Sequence, residues 1–430
     1  FYQFGIDEEN MFGISVSHNR GIKRLFEWIY EELPVNVEAN TVVLDNDDPS
    51  FEDLLIEEDL ESEEQDKKLD APDNHLKVAI IGVTGAVGQE FVQSLDNHPW
   101  FEVTQIAASE RSAGKKYLDA IKDVSGIIAW DVGGEIPEYI KEMTVKSVDQ
   151  LDTSQLDLVF SAVESEAARD IESKMAADLP VISTSSAYRY EEDVPILIPG
   201  INDEQTELLE MQKKNRNWKG WIAPLPNCTT TGLAITLKPL LEKYGAKKVL
   251  MTSMQAISGG GKSGVSAMGI TDNIIPYIPK EEGKVRIETR KILGKLKDGK
   301  IEDADIKISC TCTRVPVIDG HTESVFVETT QEIDPQKAKE TYNQSNKDIS
   351  VAGLPSAPKD YYAFHEDPTR PQPRMERTVG DGMTTTIGRV ETEELFDHGL
   401  KYMLFSHNKK MGSAKGAVLL AEMLYKKDKI

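Results

Sequence analysis

The pattern of apolar and polar positions divides the chain into regions of different predicted structure. From Leu76 to about residue 227, short apolar runs such as LKVAIIGV and LDLVFSAV alternate with segments of helical periodicity. Within the first such segment Val87, Phe91 and Leu95 recur at i, i+4 and i+8, which is one face of a helix. Alternating short strands and helices predict a doubly wound parallel sheet with helices on both faces.

A different pattern begins near residue 245. Apolar and polar residues alternate with a period of two, which is typical of antiparallel strands, in KKVLMTSMQAIS, DIKISCTCTRVPV, ESVFVETT, MTTTIGRVE and LKYMLFSHN. The last segment, SAKGAVLLAEMLYKK, predicts an amphipathic helix. The predicted fold is therefore α/β, with a Rossmann-type doubly wound parallel sheet and a second α+β domain of mainly antiparallel sheet. We expect residues 76–227 plus 407–430 to form the first domain and residues 228–406 the second.

Charge is concentrated before this region. Residues 1–75 carry 21 Asp or Glu against 5 Lys or Arg, which gives most of the chain's net charge of −24. Residues 1–44 have the pattern of a small strand–helix–strand unit, and residues 45–75 read as an acidic, disordered linker. Residues 1–75 are thus expected to be a partly disordered acidic extension.

Composition also limits the classes of function that are expected for this chain. The main body has no basic patch of the kind that binds nucleic acid. No apolar run approaches the roughly 18 residues of a membrane span. Three cysteines without paired spacing favour a reducing compartment, so a cytoplasmic location is expected, and no His, Cys, Asp or Glu spacing suggests a metal site.

A glycine-rich loop joins the first predicted strand to its helix. Gly82, Gly85 and Gly88 form a GxxGxxG pattern that lets the backbone approach a pyrophosphate at a helix N-terminus. The alternative is a tight turn without a ligand. The predicted cofactor contacts of this loop are Gly82, Thr84, Gly85, Ala86, Val87 and Gly88.

The end of the second predicted strand bears on the choice of cofactor. Sites for NAD usually place an Asp or Glu there, whereas this chain has Ser109. Arg111, Ser112 and Lys115 can bind a ribose 2′-phosphate, provided that Glu110 points away. NADP is therefore favoured over NAD, and the alternative is a solvated polar turn.

Two residues suggest nucleophilic chemistry. Cys228 in PNCTTTG precedes a helical run, and a helix N-terminus lowers a thiol pKa and can hold an oxyanion. His321, in a turn between two predicted strands, is a candidate acid/base beside Arg314 as an anion clamp. His407 is the alternative base. Cys310 and Cys312 share one strand face and read as core.

The stretch MQAISGGGKSG poses a competing hypothesis. Its GGGKS ending, with Lys262, resembles the phosphate-binding loop of nucleotide hydrolases, but the first glycine of that motif is replaced by Ala256. Glycines here also allow a close backbone approach to an active site.

Nine short motifs occur in this order along the chain: GVTGAVG, SERSAGKKY, SSAYR, PNCTTTGLA, MQAISGGG, RVPVIDGHTE, LPSAPK, RPQPR and SHN. Together they resemble the aspartate-semialdehyde dehydrogenase family, in its archaeal and fungal branch, over about residues 76–428. The resemblance implies NADPH-dependent reductive dephosphorylation of 4-aspartyl phosphate to aspartate 4-semialdehyde. This is an early step toward lysine, threonine and methionine. It also implies that the second domain is catalytic and forms a homodimer or homotetramer.

The resemblance further implies a role for each site residue. Cys228 matches the nucleophile, His321 the acid/base and Gln255 the residue that orients the thiohemiacetal. The substrate contacts it implies are Arg314 for the carboxylate, Arg189 and Lys284 for the phosphate, and Glu281 for the amino group. Further cofactor contacts are implied at Ser258, Gly259 and Asn408.

Three positions depart from the family pattern, and two other functions remain open. Relatives commonly have Asn where this chain has Thr184, Glu where it has Gly200, and Arg near Met411. Malonyl-coenzyme A reductase, which reduces a thioester on the same scaffold, is the alternative enzyme. A catalytically silent dinucleotide sensor is the alternative outside enzymes.

Overall fold

A computed structural model describes residues 72–262 and 264–430 of the chain. The predicted strand–helix–strand unit of residues 1–44 and almost all of the acidic linker lie outside the described residues. The described part contains two main sheets, each with its own helices. Its helices include none long and apolar enough to cross a membrane.

Every strand of the first sheet is parallel to its neighbours, as the sequence predicts. The strand order is β2-β1-β3-β4-β5. The strands are β1 Leu76–Ile81, β2 Phe101–Ala107, β3 Leu158–Ser161, β4 Val181–Ser183 and β5 Ile222–Pro224. Side chains of β1 alternate between two apolar clusters, because Val78 and Ile80 join one cluster and Ala79 and Ile81 the other. Both faces of the sheet are therefore covered, as expected for a doubly wound fold.

Helices connect and cover these strands. They are α1 Ala86–Ser94, α2 Tyr117–Ala120, α3 Glu138–Lys141, α4 Ser165–Ala176, α5 Leu208–Arg216, α6 Cys228–Tyr244, α7 Ala267–Ile270, α8 Glu281–Ile292, α9 Pro335–Asp348, α10 Pro373–Glu376 and α11 Ala414–Lys426. The last helix, α11, packs against α1 and β4. A buried contact of 2.9 Å between His98 Nε2 and Glu422 Oε1 ties α11 to the parallel-sheet half. The exact domain boundaries stay a prediction.

The second sheet is mixed. Its order is β11-β12-β13-β10-β6-β9, and a separate hairpin pairs β7 with β8. The strands are β6 Ala246–Gln255, β7 Lys295–Lys297, β8 Lys300–Glu302, β9 Lys307–Arg314, β10 His321–Thr329, β11 Tyr362–His365, β12 Thr385–Glu393 and β13 Gly399–Ser406. The three central pairings are antiparallel, whereas the outer pairs β6–β9 and β11–β12 are parallel. Period-two alternation predicts strands but not their direction, so these two edges could not be foreseen.

One local prediction is wrong. His321 was expected in a turn, but it is the first residue of β10. Gly320 ends the turn with a φ of +92°, and a Cβ there would lie 2.0 Å from the Phe405 ring. The strand pairing starts two residues earlier than the predicted ESVFVETT strand, and the histidine is held by a sheet.

Candidate active site

Cys228 is the first residue of helix α6, as the sequence predicts. Asn227 caps this helix, because its side-chain oxygen accepts hydrogen bonds from the backbone N–H groups of Thr229 (3.0 Å) and Thr230 (3.2 Å). The first-turn N–H groups of a helix lack intrahelical partners and carry a positive partial charge. The Cys228 sulfur therefore lies where negative charge is stabilised.

Helix α8 holds this cap in place. The Asn227 N–H donates to Glu288 Oε2 at 2.6 Å, and its side-chain amide donates to Glu281 Oε1 at 2.8 Å. Glu281, Lys284 and Glu288 lie at i, i+3 and i+7, and thus on one face of α8. The sequence analysis found the first two residues and missed Glu288, which the same helical spacing could have indicated.

His321 is the histidine at the thiol. The Cys228 sulfur lies 3.1 Å from His321 Nε2, and the His321 ring is fully buried. His321 Nδ1 accepts a hydrogen bond from the Ala256 N–H at 3.1 Å. The alternative base, His407, instead accepts bonds at Nδ1 from the N–H groups of Lys409 and Lys410, both at 3.3 Å.

Burial and neighbouring charges shift the pKa values of both Cys228 and His321. Burial, reinforced by Glu281, raises the pKa of the Cys228 thiol to about 12, although Arg314, Lys284 and Arg189 act in the opposite direction. Burial, followed by the charge of Arg314, lowers the pKa of His321 to about 3. Both shifts favour a neutral imidazole beside a protonated thiol.

The predicted cations lie around this pair but are held differently. Arg314, at the end of β9, is buried and donates from Nη1 to the Ala256 carbonyl at 2.6 Å. Arg189 forms a buried ion pair with Glu288 (3.1 Å). Lys284 lies 3.8 Å from Glu281 and is partly exposed, so its ammonium group is the more available one.

Gln255 ends strand β6 and is buried, but its side-chain amide donates to Ser253 Oγ at 3.1 Å. The backbone just after it passes close to the reactive pair. A Cβ on Gly259 would lie 2.9 Å from Arg314 Nη1 and 3.2 Å from His321 Cε1. Glycine at this position is therefore a steric requirement of the site.

Two further segments close around the site. Asn408 donates to Ser258 Oγ at 3.0 Å and accepts from the Gly320 N–H at 2.8 Å, so it links three loops. A Cβ on Gly412 would lie 3.1 Å from the Cys228 Cβ. Gly412 was missed because no local pattern distinguishes it from other glycines.

The glycine-rich loop has the shape expected of a dinucleotide site. Gly82 has a φ of +82°, and its N–H donates to the Ala107 carbonyl at the end of β2 (2.8 Å). A Cβ on Gly82 would lie 2.6 Å from the Ala162 oxygen, and one on Gly88 would lie 2.2 Å from the Gly82 oxygen. By contrast, the nearest atom to a Cβ on Gly85 would be 3.5 Å away, so the surface of the loop is open at the start of α1. Thr84, Ala86 and Val87 belong to this same turn.

The polar turn after β2 lies beside that loop. Ser109, Glu110, Arg111 and Lys115 are exposed, whereas Ser112 is buried. The Ser112 N–H donates to the Ser109 carbonyl at 2.8 Å, which closes the turn. Two cationic side chains are thus free to meet a phosphate next to the glycine loop.

The GGGKS lysine is directed elsewhere. Lys262 Nζ pairs with Asp131 at 3.0 Å and donates to the Ala129 carbonyl at 3.2 Å. Both partners are on the segment that follows β2, so the Lys262 ammonium group is engaged outside its own loop. The described residues include no group of three or more His, Cys, Asp or Glu side chains placed to hold a metal ion.

The three residues that depart from the family pattern make packing contacts or a hydrogen bond within the fold. Thr184 donates from Oγ1 to the Ser161 carbonyl at 3.2 Å. Gly200 has a φ of +81°, and a Cβ there would lie 2.9 Å from Ile349 Cδ1. Met411 is buried, with its sulfur 3.9 Å from Tyr361 Oη. A glutamate at position 200 would be strained in this backbone.

Two protein-family models match the chain. The semialdehyde dehydrogenase NAD binding domain matches residues 77–209, and the semialdehyde dehydrogenase dimerisation domain matches residues 237–409. Together they cover strands β1 to β4 of the first sheet and all of the second sheet. The regions on either side of Cys228 are thus each similar to a domain of the same enzyme family.

Two relatives and one solved structure carry the same name. The chain is 45% identical to the aspartate-semialdehyde dehydrogenase of Archaeoglobus fulgidus over 81% of this chain and 98% of that protein. It is 39% identical to the enzyme of Candida albicans over 82% of this chain and 98% of that protein. The crystal structure of aspartate semialdehyde dehydrogenase with NADP from Candida albicans superposes with a TM-score of 0.74 at 36% identity, covering 83% of this chain and all of that one. The chain therefore belongs to the aspartate-semialdehyde dehydrogenase family.

Proposed function

We propose that the protein catalyses the NADPH-dependent reductive dephosphorylation of 4-aspartyl phosphate to aspartate 4-semialdehyde through a thioester on Cys228. The observation that carries this proposal is the 3.1 Å contact between the Cys228 sulfur, at a helix N-terminus, and His321 Nε2. A thiol in this position is suited to attack an acyl phosphate. The comparisons give no support to the malonyl-coenzyme A alternative.

The charges around the thiol fit a substrate with three ionic groups. Arg314 can bind a carboxylate through its guanidinium, and Glu281 can accept from a substrate ammonium. Lys284 is the partly exposed cation suited to the acyl phosphate group. We assign Arg189 a supporting role, because it is buried against Glu288 and would reach phosphate only after rearrangement. Gln255 is the proposed guide for the thiohemiacetal once its amide leaves Ser253.

The cofactor would lie on the glycine loop with its reactive end toward Cys228. When bound, NADPH supplies the hydride that reduces the thioester. The open N-terminus of α1 would take the pyrophosphate at Gly85, and Arg111 and Lys115 would take the 2′-phosphate. Ser258, Gly259 and Asn408 lie next to the catalytic pair and would border the nicotinamide.

The direct test is the reverse reaction. Enzyme is mixed with aspartate semialdehyde, phosphate and NADP⁺, and absorbance of NADPH is followed. Turnover that requires phosphate is expected, with a loss of at least about 10³-fold in Cys228→Ser. Cys312→Ser, in the core of the same protein, is the matched control and should retain activity. Turnover without phosphate, or an active Cys228→Ser variant, would overturn the proposal.

A cofactor experiment separates NADP from NAD. Arg111→Ala and Lys115→Ala each remove one exposed charge beside the glycine loop. We expect a rise of about tenfold or more in KM for NADPH for each variant, and little change with NADH. Equal effects on both cofactors would show that these side chains do not contact the 2′-phosphate.

We also propose that the protein works in the cytoplasm as a homodimer, or as a tetramer of such dimers, through the second sheet. The face of that sheet turned away from α6 carries four apolar side chains that are partly exposed: Leu250, Met254, Phe326 and Met403. Leu250 is 39% exposed in the single chain. Leu250→Lys is expected to shift the mass in light-scattering chromatography toward the monomer, and a wild-type monomer would contradict the proposal.

A further inference from the structure

Lys262, the lysine of the GGGKS stretch, has its partners outside its own loop. Its Nζ lies 3.0 Å from Asp131 Oδ2 and donates to the Ala129 carbonyl at 3.2 Å. Lys262 follows Gly259 closely in the chain, at the edge of the catalytic site. A charged contact therefore runs from this edge to residues 129–131, here called the bridge segment.

The bridge segment is bound on its other side by Gln89, in the helix α1 that begins at the glycine loop. The Gln89 side-chain amide donates to the Ala129 carbonyl at 2.8 Å, and its oxygen accepts from the Asp131 N–H at 2.7 Å. Gln89 is fully buried, and its Nε2 also lies 3.4 Å from the Thr84 carbonyl of the glycine loop. Two short hydrogen bonds to a buried side chain thus tie the bridge segment to α1.

Lys409 gives the bridge segment a third attachment. Its Nζ donates to the Asp131 carbonyl at 3.2 Å and lies 3.1 Å from Asp319 Oδ1 and 4.0 Å from Glu90 Oε2 of α1. Lys409 directly follows Asn408, which links the loops around the catalytic pair. The backbone of Asp131 is therefore held on both sides, by Gln89 at its N–H and by Lys409 at its carbonyl.

The attachments of the bridge segment differ in how easily they break. The side chains of Lys262 and Asp131 are 40% and 41% exposed, so water and salt weaken their ion pair. By contrast, the Gln89 contacts are made by a fully buried side chain. Loss of the Asp131 carboxylate therefore removes the pair with Lys262 and leaves the backbone of the segment in place.

We propose that the Lys262–Asp131 pair braces the coenzyme cleft, and that both residues are positioning residues for NADPH. In the proposed arrangement, the glycine loop and α1 form one wall of this cleft, and residues 258–262 form part of the other. With the two walls held at one spacing, the coenzyme meets a preformed site and less freedom is lost on binding. This role rests on the proposed position of the coenzyme, and not on the reaction that follows.

Electrostatic attraction of the coenzyme by charge alone predicts a different pattern. NADPH is anionic, so the charge of Lys262 would strengthen its binding and the charge of Asp131 would weaken it. A brace needs both partners, so the loss of either one weakens binding. The sign of the effect at Asp131 therefore separates the two explanations.

The test measures the dissociation constant of NADPH on the full-length enzyme, from coenzyme fluorescence and without turnover. Lys262→Met and Asp131→Ala are each expected to raise this constant about threefold, as fits a partly exposed ion pair. The double variant should show no larger rise than either single variant, because the same pair is lost in all three. An Asp131→Ala variant that binds NADPH as tightly as the wild type or more tightly, or single effects that add in full, would overturn the brace.

A second ion pair supplies the matched control. Lys297 lies 3.1 Å from Glu302 on the β7–β8 hairpin, and Lys297→Met should leave the dissociation constant of NADPH unchanged. The thermal midpoints of all variants should stay within a few degrees of the wild type. A merely structural role would lower the midpoint of Lys262→Met and leave its dissociation constant unchanged, and that result would contradict the brace.

Kinetics keep this role apart from the proposed reaction. In turnover, Lys262→Met should raise KM for the coenzyme about threefold and leave kcat within about twofold. Non-additive effects on NADPH binding in an enzyme without turnover would refute the proposed function alone. Tight NADPH binding that neither substitution weakens, in an active enzyme, would refute the brace alone.

Discussion

At the scale of single residues, reactivity depends on how burial and neighbouring charges shift the pKa of the Cys228 thiol. Burial and Glu281 raise the pKa of Cys228, whereas Arg314, Lys284 and Arg189 lower it. The raising effects win, so the thiolate must be stabilised when it forms. The helix N-terminus and the His321 N–H are the groups in place to do this.

This balance predicts the pH dependence of labelling. Because a raised pKa delays ionisation, the thiolate fraction of Cys228 grows with pH until about pH 12. The rate of iodoacetamide labelling of the free enzyme should rise about tenfold per pH unit from roughly pH 7 to 10. Peptide mass spectrometry would locate the label, with Cys228→Ser as the control. A plateau reached below the ordinary thiol pKa of about 8.5 would contradict a raised value.

Residue-level predictions from the sequence succeeded where a residue's type and its place in an element suffice. Cys228 was expected at a helix start because PNCTTTG precedes an apolar helical run, and the structure places it there. The pairing with His321 spans 93 residues, so the local context left both His321 and His407 as candidate bases, and the family resemblance favoured His321. The Ala256 N–H could not be predicted, since a backbone group has no signature in the sequence.

At the scale of elements, the site is built where strand ends and a helix start meet. Strand β6 ends at Gln255 and β9 ends at Arg314. Strand β10 begins at His321, and helix α6 begins at Cys228. The turn Ile257–Gly260 then crosses between them. Sequence patterns predicted these strands, but not the parallel pairing of β6 with β9 that aligns Gln255 with Arg314.

Two neighbouring glycines of the turn Ile257–Gly260 allow a matched pair of substitutions. A Cβ on Gly259 would lie 2.9 Å from Arg314 Nη1, whereas the nearest atom to one on Gly260, the Val265 nitrogen, would be 3.8 Å away. Gly259→Ala should therefore lower kcat/KM by about 10- to 100-fold by displacing Arg314 and His321. Gly260→Ala should be nearly silent in the same assay. Equal effects of the two variants would show that the close approach at Gly259 does not matter.

The cap of α6 gives a stability prediction at the same scale. Asn227→Ala removes the acceptor for two helix N–H groups and the donor to Glu281. The free energy of unfolding in urea should fall by about 1–2 kcal/mol. Asn227→Asp keeps the cap acceptor but places a carboxylate near Glu281, so it should lose activity more than stability. A cap variant as stable as the wild type would contradict this assignment.

At the scale of the whole molecule, the described chain forms two sheets with the thiol at the start of the helix between them. The apolar pattern predicted both sheets and the last helix, α11, because strand and helix periods differ along the chain. The order of strands and the direction of the two outer pairs depend on long-range packing, which local patterns do not encode.

The N-terminal region can be tested at this scale. The relatives match about four-fifths of this chain and nearly all of their own length, and the first family model begins at residue 77, so we expect the activity to need no counterpart of residues 1–75. Removing residues 1–75 should leave kcat and KM within about twofold. Loss of folded, active enzyme on truncation would contradict this expectation.

The central claim is that Cys228 forms a thioester with the aspartyl group, and trapping that intermediate tests it most directly. Enzyme is mixed with 4-aspartyl phosphate in the absence of NADPH, quenched in acid and analysed by peptide mass spectrometry. The account predicts an aspartyl adduct on the Cys228 peptide that disappears, with release of aspartate semialdehyde, when NADPH is added before the quench. An enzyme that turns over without any adduct on Cys228, or with the adduct on another residue, would contradict it.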